Sequence, residues 1–320
     1  MRVFRAIEDI TGGLPSPVAT IGNFDGVHLG HREIFRRVRS DAARLGGVSV
    51  VITFVPHPLK VVPSGKDLRL ISTCAEKEAL IEASGIDVLV AIPFDRTFAS
   101  VSAEEFVRGV LVGRIGIRKL IIGSDYRFGR SREGDVSLLQ HLGGELGFEV
   151  DVMEPVGDGR TTYSSSLIRS MVSAGDVAGV VALLGRHFSL AGKVVHGHHR
   201  GSGLGFPTAN IATEKELLPK NGVYAVKVKV DSEVYEGACN IGVNPTFSNQ
   251  ALSVEVFLFD FEEDLYDREI RVYFIERVRD ERKFPDVEAL KLSIAADVAR
   301  CREILSHTRL IEYPSYLTGD

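Results

Sequence analysis

Residues 22–31 read GNFDGVHLGH. His28 and His31 stand three apart with Gly30 between them, a spacing that puts both imidazoles on one face of a starting helix while glycine lets a ligand approach the backbone. The run follows an apolar stretch and precedes a helical pattern, so the unpaired N–H groups of a helix N-terminus face the same place, a ready site for phosphate. The chemistry this suits is binding of a polyphosphate and stabilisation of charge as one of its bonds breaks. Two plainer uses also fit: histidines that only cap the helix beside turn glycines, and a pair of metal ligands, for which no third ligand lies nearby. Ser164, Ser165, Ser166 and Arg169 form a second cluster at an expected helix start. Their hydroxyls and guanidinium can hold outer phosphates, or the serines can be ordinary caps.

The second half carries GSGLGFPTAN at 201–210. Glycine spacing of this kind permits a loop whose N–H groups cradle phosphate, and Thr208 and Asn210 alternate along an extended chain, offering two oxygens to a Mg–ATP complex. No GKS or GKT follows, so this is not a Walker A loop. Glu255 lies in an alternating apolar segment, where it is either a solvent-facing position or a base. Phe54 and Pro58 close one expected strand, and Asp125 and Phe128 follow another. Ligands of open parallel sheets bind at carboxyl ends of strands, where these rings can hold a flat aromatic ligand and Asp125 its polar edge; the phenylalanines are equally natural core residues.

The elements that must position these groups follow from periodicity. Short β-branched runs at 17–21, 48–55, 88–93, 119–123 and 149–153 alternate with helical patterns, which predicts an α/β half built on a parallel sheet with crossover helices. Ile34, Phe35, Val38, Ala42 and Leu45 recur on one helical face that Gly46 and Gly47 end, and Ser102 with Glu105 forms a capping box opening a helix to about Arg114. From 193 onward the runs 193–196, 223–230, 234–241, 253–259 and 269–276 succeed one another without helices between them, which predicts an antiparallel sheet or small barrel. A last helix carries Val287, Leu290, Ile294, Val298, Cys301 and Leu305 on one face. The change of character near Gly185 places domains at 1–184 and 185–320.

Composition narrows the rest. The chain has 320 residues, 44 % of them hydrophobic, and a net charge of −5 with no long basic block, so it lacks the electrostatic footprint of a nucleic-acid binder. The longest apolar run is far short of the ~20 residues of a membrane-spanning helix, and the charged N-terminus MRVFRAIEDI is no signal peptide. Cys74, Cys239 and Cys301 are odd in number and far apart, which points to a reducing, cytoplasmic compartment. Small-molecule partners are expected, for a monomer or weak homo-oligomer.

GNFDGVHLGH resembles the signature loop of the HxGH nucleotidyltransferases, in the form of the FMN adenylyltransferase branch, and SSSLIR resembles that branch's SSTxIR motif with Ser166 in place of threonine. TFVPHP at 53–58 and GSDYRFG at 123–129 are similar to two more of its segments. LGFPTAN resembles the PTAN motif of riboflavin kinases, NIGVNPTF at 240–247 one of their loops, and Glu255 falls at their catalytic glutamate. Together the motifs resemble, in order and from about residue 17 to about 300, the bacterial bifunctional riboflavin kinase/FMN adenylyltransferases.

The resemblance implies a Rossmann-like nucleotidyltransferase domain followed by a six-stranded antiparallel β-barrel with a C-terminal helix. It implies Mg²⁺- and ATP-dependent conversion of riboflavin to FMN in the C-terminal half and of FMN to FAD in the N-terminal half. In the first site it assigns catalysis to His28 and His31, ATP to Gly22, Asn23, Phe24, His28, His31, Ser165, Ser166 and Arg169, and flavin to Phe54, Pro58, Asp125 and Phe128. In the second it assigns ATP to Arg200, Gly201, Gly205, Thr208 and Asn210, Mg²⁺ to Thr208 and Asn210, catalysis to Glu255, and flavin to Glu255 and Arg279. Ser202 stands where the family commonly has an arginine, which leaves Arg200 as the cation of that loop, beside His198 and His199. An enzyme with one working half, or a regulator that binds flavin without turnover, are the rival expectations; a pure binder has no use for Glu255 as a base.

Overall fold

The structure, a computed structural model, describes residues 1–62, 67–197, 205–243 and 252–313. The chain divides into two compact units, Met1–Ser165 and Ser166–Asp320.

In the first unit the strands are β1 (Arg2–Phe4), β2 (Val18–Ile21), β3 (Ser49–Val55), β4 (Val88–Pro93), β5 (Lys119–Gly123) and β6 (Glu149–Met153). They form one parallel sheet in the order β1-β4-β3-β2-β5-β6. The helices are α1 (Leu29–Arg44), α2 (Pro58–Val61), α3 (Cys74–Ala83), α4 (Ala103–Glu105) and α5 (Val136–Leu146), with α4 continuing as a π-helical stretch over Phe106–Ile115. Both faces of the sheet are buried, as parallel strands require. Val18 and Ile121 pack beneath Val38 and Ala42 of α1, while Ala19, Ile21, Val50, Ile52 and Leu120 face a core with Phe106, Leu111 and Leu139. The Ser102–Glu105 capping box forms. Leu45, expected on the inner face of α1, is 46 % exposed, because the helix ends at Arg44 and Leu45 only caps it. Strand β1 was not expected; three residues at a sheet edge carry no usable period.

The second unit begins with α6, which runs Ser165–Ala174 across the division, and α7 (Val181–Leu184). Strands β7 (Phe188–Val195), β8 (Ala209–Ala212), β9 (Gly222–Val230), β10 (Glu233–Val243), β11 (Leu252–Leu258) and β12 (Glu269–Arg279) close into a barrel in the order β10-β11-β8-β7-β12-β9. Every neighbouring pair is antiparallel. Tyr224 and Phe188 pack against Phe274 within it. Helix α8 (Val287–Ser306) lies against β9, β10 and β12 through Cys301 and Leu305. Of the expected apolar face Cys301 and Leu305 are buried and Val298 packs beside them, while Val287 is 55 % exposed and Ser293 and Asp297 complete the buried stripe. Polar residues hold that stripe because arginines meet them: Arg282 donates to Ser293 Oγ and Arg279 to Asp297. Among the described residues, no helix is long and apolar enough to cross a membrane.

Candidate active sites

The loop between β2 and α1 is bent hard. Phe24, Gly26 and Val27 all have positive φ, at 49°, 83° and 37°, a strain that non-glycine residues hold only when their surroundings impose it. Buried Asp25 supplies part of that constraint, since its carboxylate accepts the N–H groups of Ile71 and Ser72 at 3.0–3.1 Å. Ser165 Oγ, at the end of the first unit, donates to the Asp25 carbonyl at 2.8 Å. Gly22 has no room for a side chain, because a Cβ there would sit 2.9 Å from the Phe24 ring.

At the end of the loop His28 caps α1, its Nδ1 accepting the His31 N–H at 3.4 Å. A ring nitrogen that accepts must carry its proton on the other nitrogen, so Nε2 of neutral His28 is a donor. The two imidazoles stack with centroids 3.6 Å apart, and Phe24 meets His31 edge to face at 5.2 Å. A Cβ at Gly30 would lie 3.1 Å from the His28 ring, which explains the glycine between the histidines. Ser166 and Arg169 occupy the first two turns of α6, in the second compact unit.

Phe54, at the end of β3, begins a run of touching rings. Phe94 and Phe98 lie 5.5 and 6.1 Å from it, Phe98 meets Phe106 at 6.0 Å, Phe106 meets Phe128 at 6.0 Å, and Phe128 stacks on Tyr126 at 5.6 Å. The structure thus joins Phe54 and Phe128 through residues that sequence reasoning passed over. Phe128 is itself buried, whereas Phe54, Phe94 and Phe98 keep partial exposure. Pro58 is the first residue of α2, capped by His57, and Asp125 is exposed in the turn after β5. Lys77 was also passed over. From α3 its ammonium donates to the Asn23 carbonyl at 3.4 Å and to Thr53 Oγ1 at 3.2 Å. Burial lowers its pKa from the ordinary lysine value.

In the barrel, register builds the site. Glu255 on β11 stands opposite Asn210 of β8 on one side and Asn240 of β10 on the other. Directly opposed residues share a face, and Val254, Val256, Cys239, Ile241 and Ile211 take the buried face, so the two asparagines and the carboxylate form a row on the outer one. Ser253 Oγ donates to Glu255 Oε1 at 3.4 Å. Thr208, two residues before Asn210, is half-buried, and Gly205 is exposed with φ 86°. Arg200 and Gly201, with His198, His199 and Ser202, lie outside the described residues, as does the 244–247 part of the NIGVNPTF loop. Arg279 follows two register shifts of β12 against β9, and its guanidinium grips the Asp297 carboxylate of α8 at 2.6–3.1 Å. The sequence marks Asn240 only as part of a loop motif; its place beside Glu255 is a matter of register alone.

Comparison with known proteins follows this division. The FAD synthetase family model matches residues 14–167 and the riboflavin kinase family model residues 184–305. The bifunctional riboflavin kinase/FMN adenylyltransferase of Pseudomonas fluorescens is 39 % identical over 306 residues, covering 95 % of this chain and 98 % of that one. The protein of the same description from Escherichia coli K12 is 34 % identical, covering 97 % and 99 %. A crystal structure from Streptococcus pneumoniae, described as a macrolide-efflux protein, matches with a TM-score of 0.84 at 31 % identity, over 94 % of this chain and 98 % of that one. With the two family models matching successive halves, and relatives of one description spanning nearly the full length, the chain belongs to the bifunctional riboflavin kinase/FMN adenylyltransferase family.

Proposed function

We propose that the two halves run consecutive steps, with the functional boundary near Leu184, where the riboflavin kinase match begins. In the barrel half, the Glu255 carboxylate takes the proton of the 5'-hydroxyl of riboflavin as that oxygen bonds to the γ-phosphorus of ATP and the bond to ADP breaks, giving FMN. The observation that carries this reading is the row Asn210, Glu255, Asn240, which sets a carboxylate between neutral amides on an accessible strand face. The oxygen donors of Thr208 and Asn210 beside a carboxylate suit a hard divalent cation. They would hold Mg²⁺, which when bound neutralises charge on the β- and γ-phosphates. Arg200, Gly201 and Gly205 would contact ATP in the same half.

In the N-terminal half, a phosphate oxygen of FMN bonds to the α-phosphorus of ATP as the bond to pyrophosphate breaks, giving FAD. This needs positioned donors more than a base. His28 offers its Nε2 proton, His31 stacks on it, and the N-terminus of α1 adds its dipole. Gly22, Asn23 and Phe24 shape the nucleotide loop, Ser165, Ser166 and Arg169 would take outer phosphates, and Phe54, Pro58 and Asp125 the flavin. Phe128 supports that flavin wall from the core.

We place the protein in the cytoplasm, as a monomer or weak homo-oligomer acting on small molecules, a reading that its free cysteines support. The deciding experiment incubates the purified protein with riboflavin, ATP and Mg²⁺ and follows flavins by chromatography. FMN that rises and then gives way to FAD is the expected course. FMN without FAD means a silent N-terminal site, and flavin binding without product favours the regulator.

A further inference from the structure

We infer that Lys77 is a catalytic residue of the adenylyl transfer, its ammonium contacting the phosphate of FMN where it meets the α-phosphate of ATP. The inference rests on the N-terminal half's proposed reaction. The lysine comes from α3, an element outside every motif above, yet its two hydrogen-bond acceptors belong to both halves of the site. Asn23 is part of the nucleotide loop, and Thr53 immediately precedes Phe54, the first ring of the flavin wall. Thr53 Oγ1 also donates to the Asn23 carbonyl at 3.3 Å, so lysine, loop and strand end form one small network.

Both acceptors are neutral, and an ammonium has three donors. Among the described residues Lys77 makes no ion pair. Nearby carboxylates are committed elsewhere: Glu78 receives both arms of Arg5 at 2.7 and 2.9 Å, and Asp25 receives the N–H groups of Ile71 and Ser72. Cys74, one turn earlier on α3, is the remaining ionisable neighbour. A half-buried cation with no ion pair of its own is free to take an arriving phosphate, whose charge offsets the cost of its burial. That anion is at hand in the reaction, because bonding an FMN phosphate oxygen to the α-phosphorus drives two negative groups together, and a fixed cation between them offsets the repulsion in the transition state most. No proton moves at Lys77.

The test compares the full-length protein with its Lys77→Met and Lys77→Arg variants, assaying FMN plus ATP to FAD and, separately, riboflavin plus ATP to FMN. Lys77→Met is expected to lower kcat/KM for FMN about a hundredfold, split between a higher KM for FMN and a lower kcat, with the KM for ATP within about threefold. Lys77→Arg should recover most of the loss, and riboflavin phosphorylation should stay within about twofold in both. Lys77→Met with unchanged FMN kinetics overturns the inference. So does a joint rise of both KM values with a lower unfolding midpoint and no recovery by arginine, which would make Lys77 a clip between loop and strand. Wild-type protein that makes no FAD from FMN overturns the underlying reaction, and the inference with it.

Discussion

The two halves handle phosphate with different architecture. In the N-terminal unit the groups sit on loops beyond the carboxyl ends of parallel strands, brought together by a strained turn: Phe24 and Val27 at positive φ, Asp25 pinned by backbone donors, His28 capping its helix. In the barrel they sit on strands, and their meeting depends on register: Asn210, Glu255 and Asn240 converge only because β8, β11 and β10 are aligned as they are. The first kind of site is sensitive to loop conformation. The second is sensitive to parity, since slipping β11 by one residue would turn Glu255 into the barrel and Val254 or Val256 out of it.

The sharpest test of this contrast is the expected crossed loss. Glu255→Gln keeps the shape but removes the base, and riboflavin phosphorylation should fall about a thousandfold or more while FMN adenylylation stays within about twofold, both read from chromatographed flavins. Loss of both activities with the fold intact would break the division. His28→Ala or His31→Ala should do the reverse, lowering FAD formation about a hundred- to a thousandfold and sparing FMN formation.

A smaller effect concerns Arg279. Its grip on nearly buried Asp297 makes it a brace of the barrel against α8, so Arg279→Met should destabilise the second unit by about 3 kcal/mol in urea unfolding by leaving the carboxylate unpaired. A variant that unfolds like wild type but loses riboflavin affinity would make Arg279 a flavin contact and not a brace.

The smallest effect is pH-dependent. His187 is buried and its Nδ1 accepts the Ile311 N–H at 3.0 Å; burial first, then the charge of Lys227, lower its pKa from the ordinary value of 6.5. The folded state therefore binds this proton less readily than the unfolded one, so the contribution is complete above about pH 6.5 and is lost as pH falls below it. The urea midpoint of the second unit should drop between pH 7.5 and 5.5, and His187→Gln should flatten that slope.

Much of this fold was legible in the chain. Long β-branched runs marked β3, β4, β5 and β6 nearly to the residue, and uninterrupted alternating runs marked the barrel strands β9 to β12. Strands β1 and β8 were not seen, because three or four residues hold too little pattern to outweigh their neighbours. On α8 the periodicity finds Val298, Cys301 and Leu305 but not Ser293 and Asp297, because it does not register an aspartate and a serine that arginines make welcome inside.

The site divides the same way. Histidines, glycines, PTAN and Glu255 could be found in the sequence because closely spaced residues of special chemistry announce a function locally. Lys77 and the aromatic wall through Phe94 and Phe98 could not, because a lysine on a helix and phenylalanines near strand ends are ordinary until their neighbours are known. What the sequence determined by itself was the order and type of most of the elements and the family whose motifs it carries, since periodicity and short motifs are properties of adjacent residues. Only the tertiary structure decided which distant groups share a site: Lys77 with Asn23 and Thr53, Glu255 with Asn210 and Asn240, Arg279 with Asp297. Those pairings arise from sheet order, strand register and the packing of helices across dozens of intervening residues, and no local pattern encodes them.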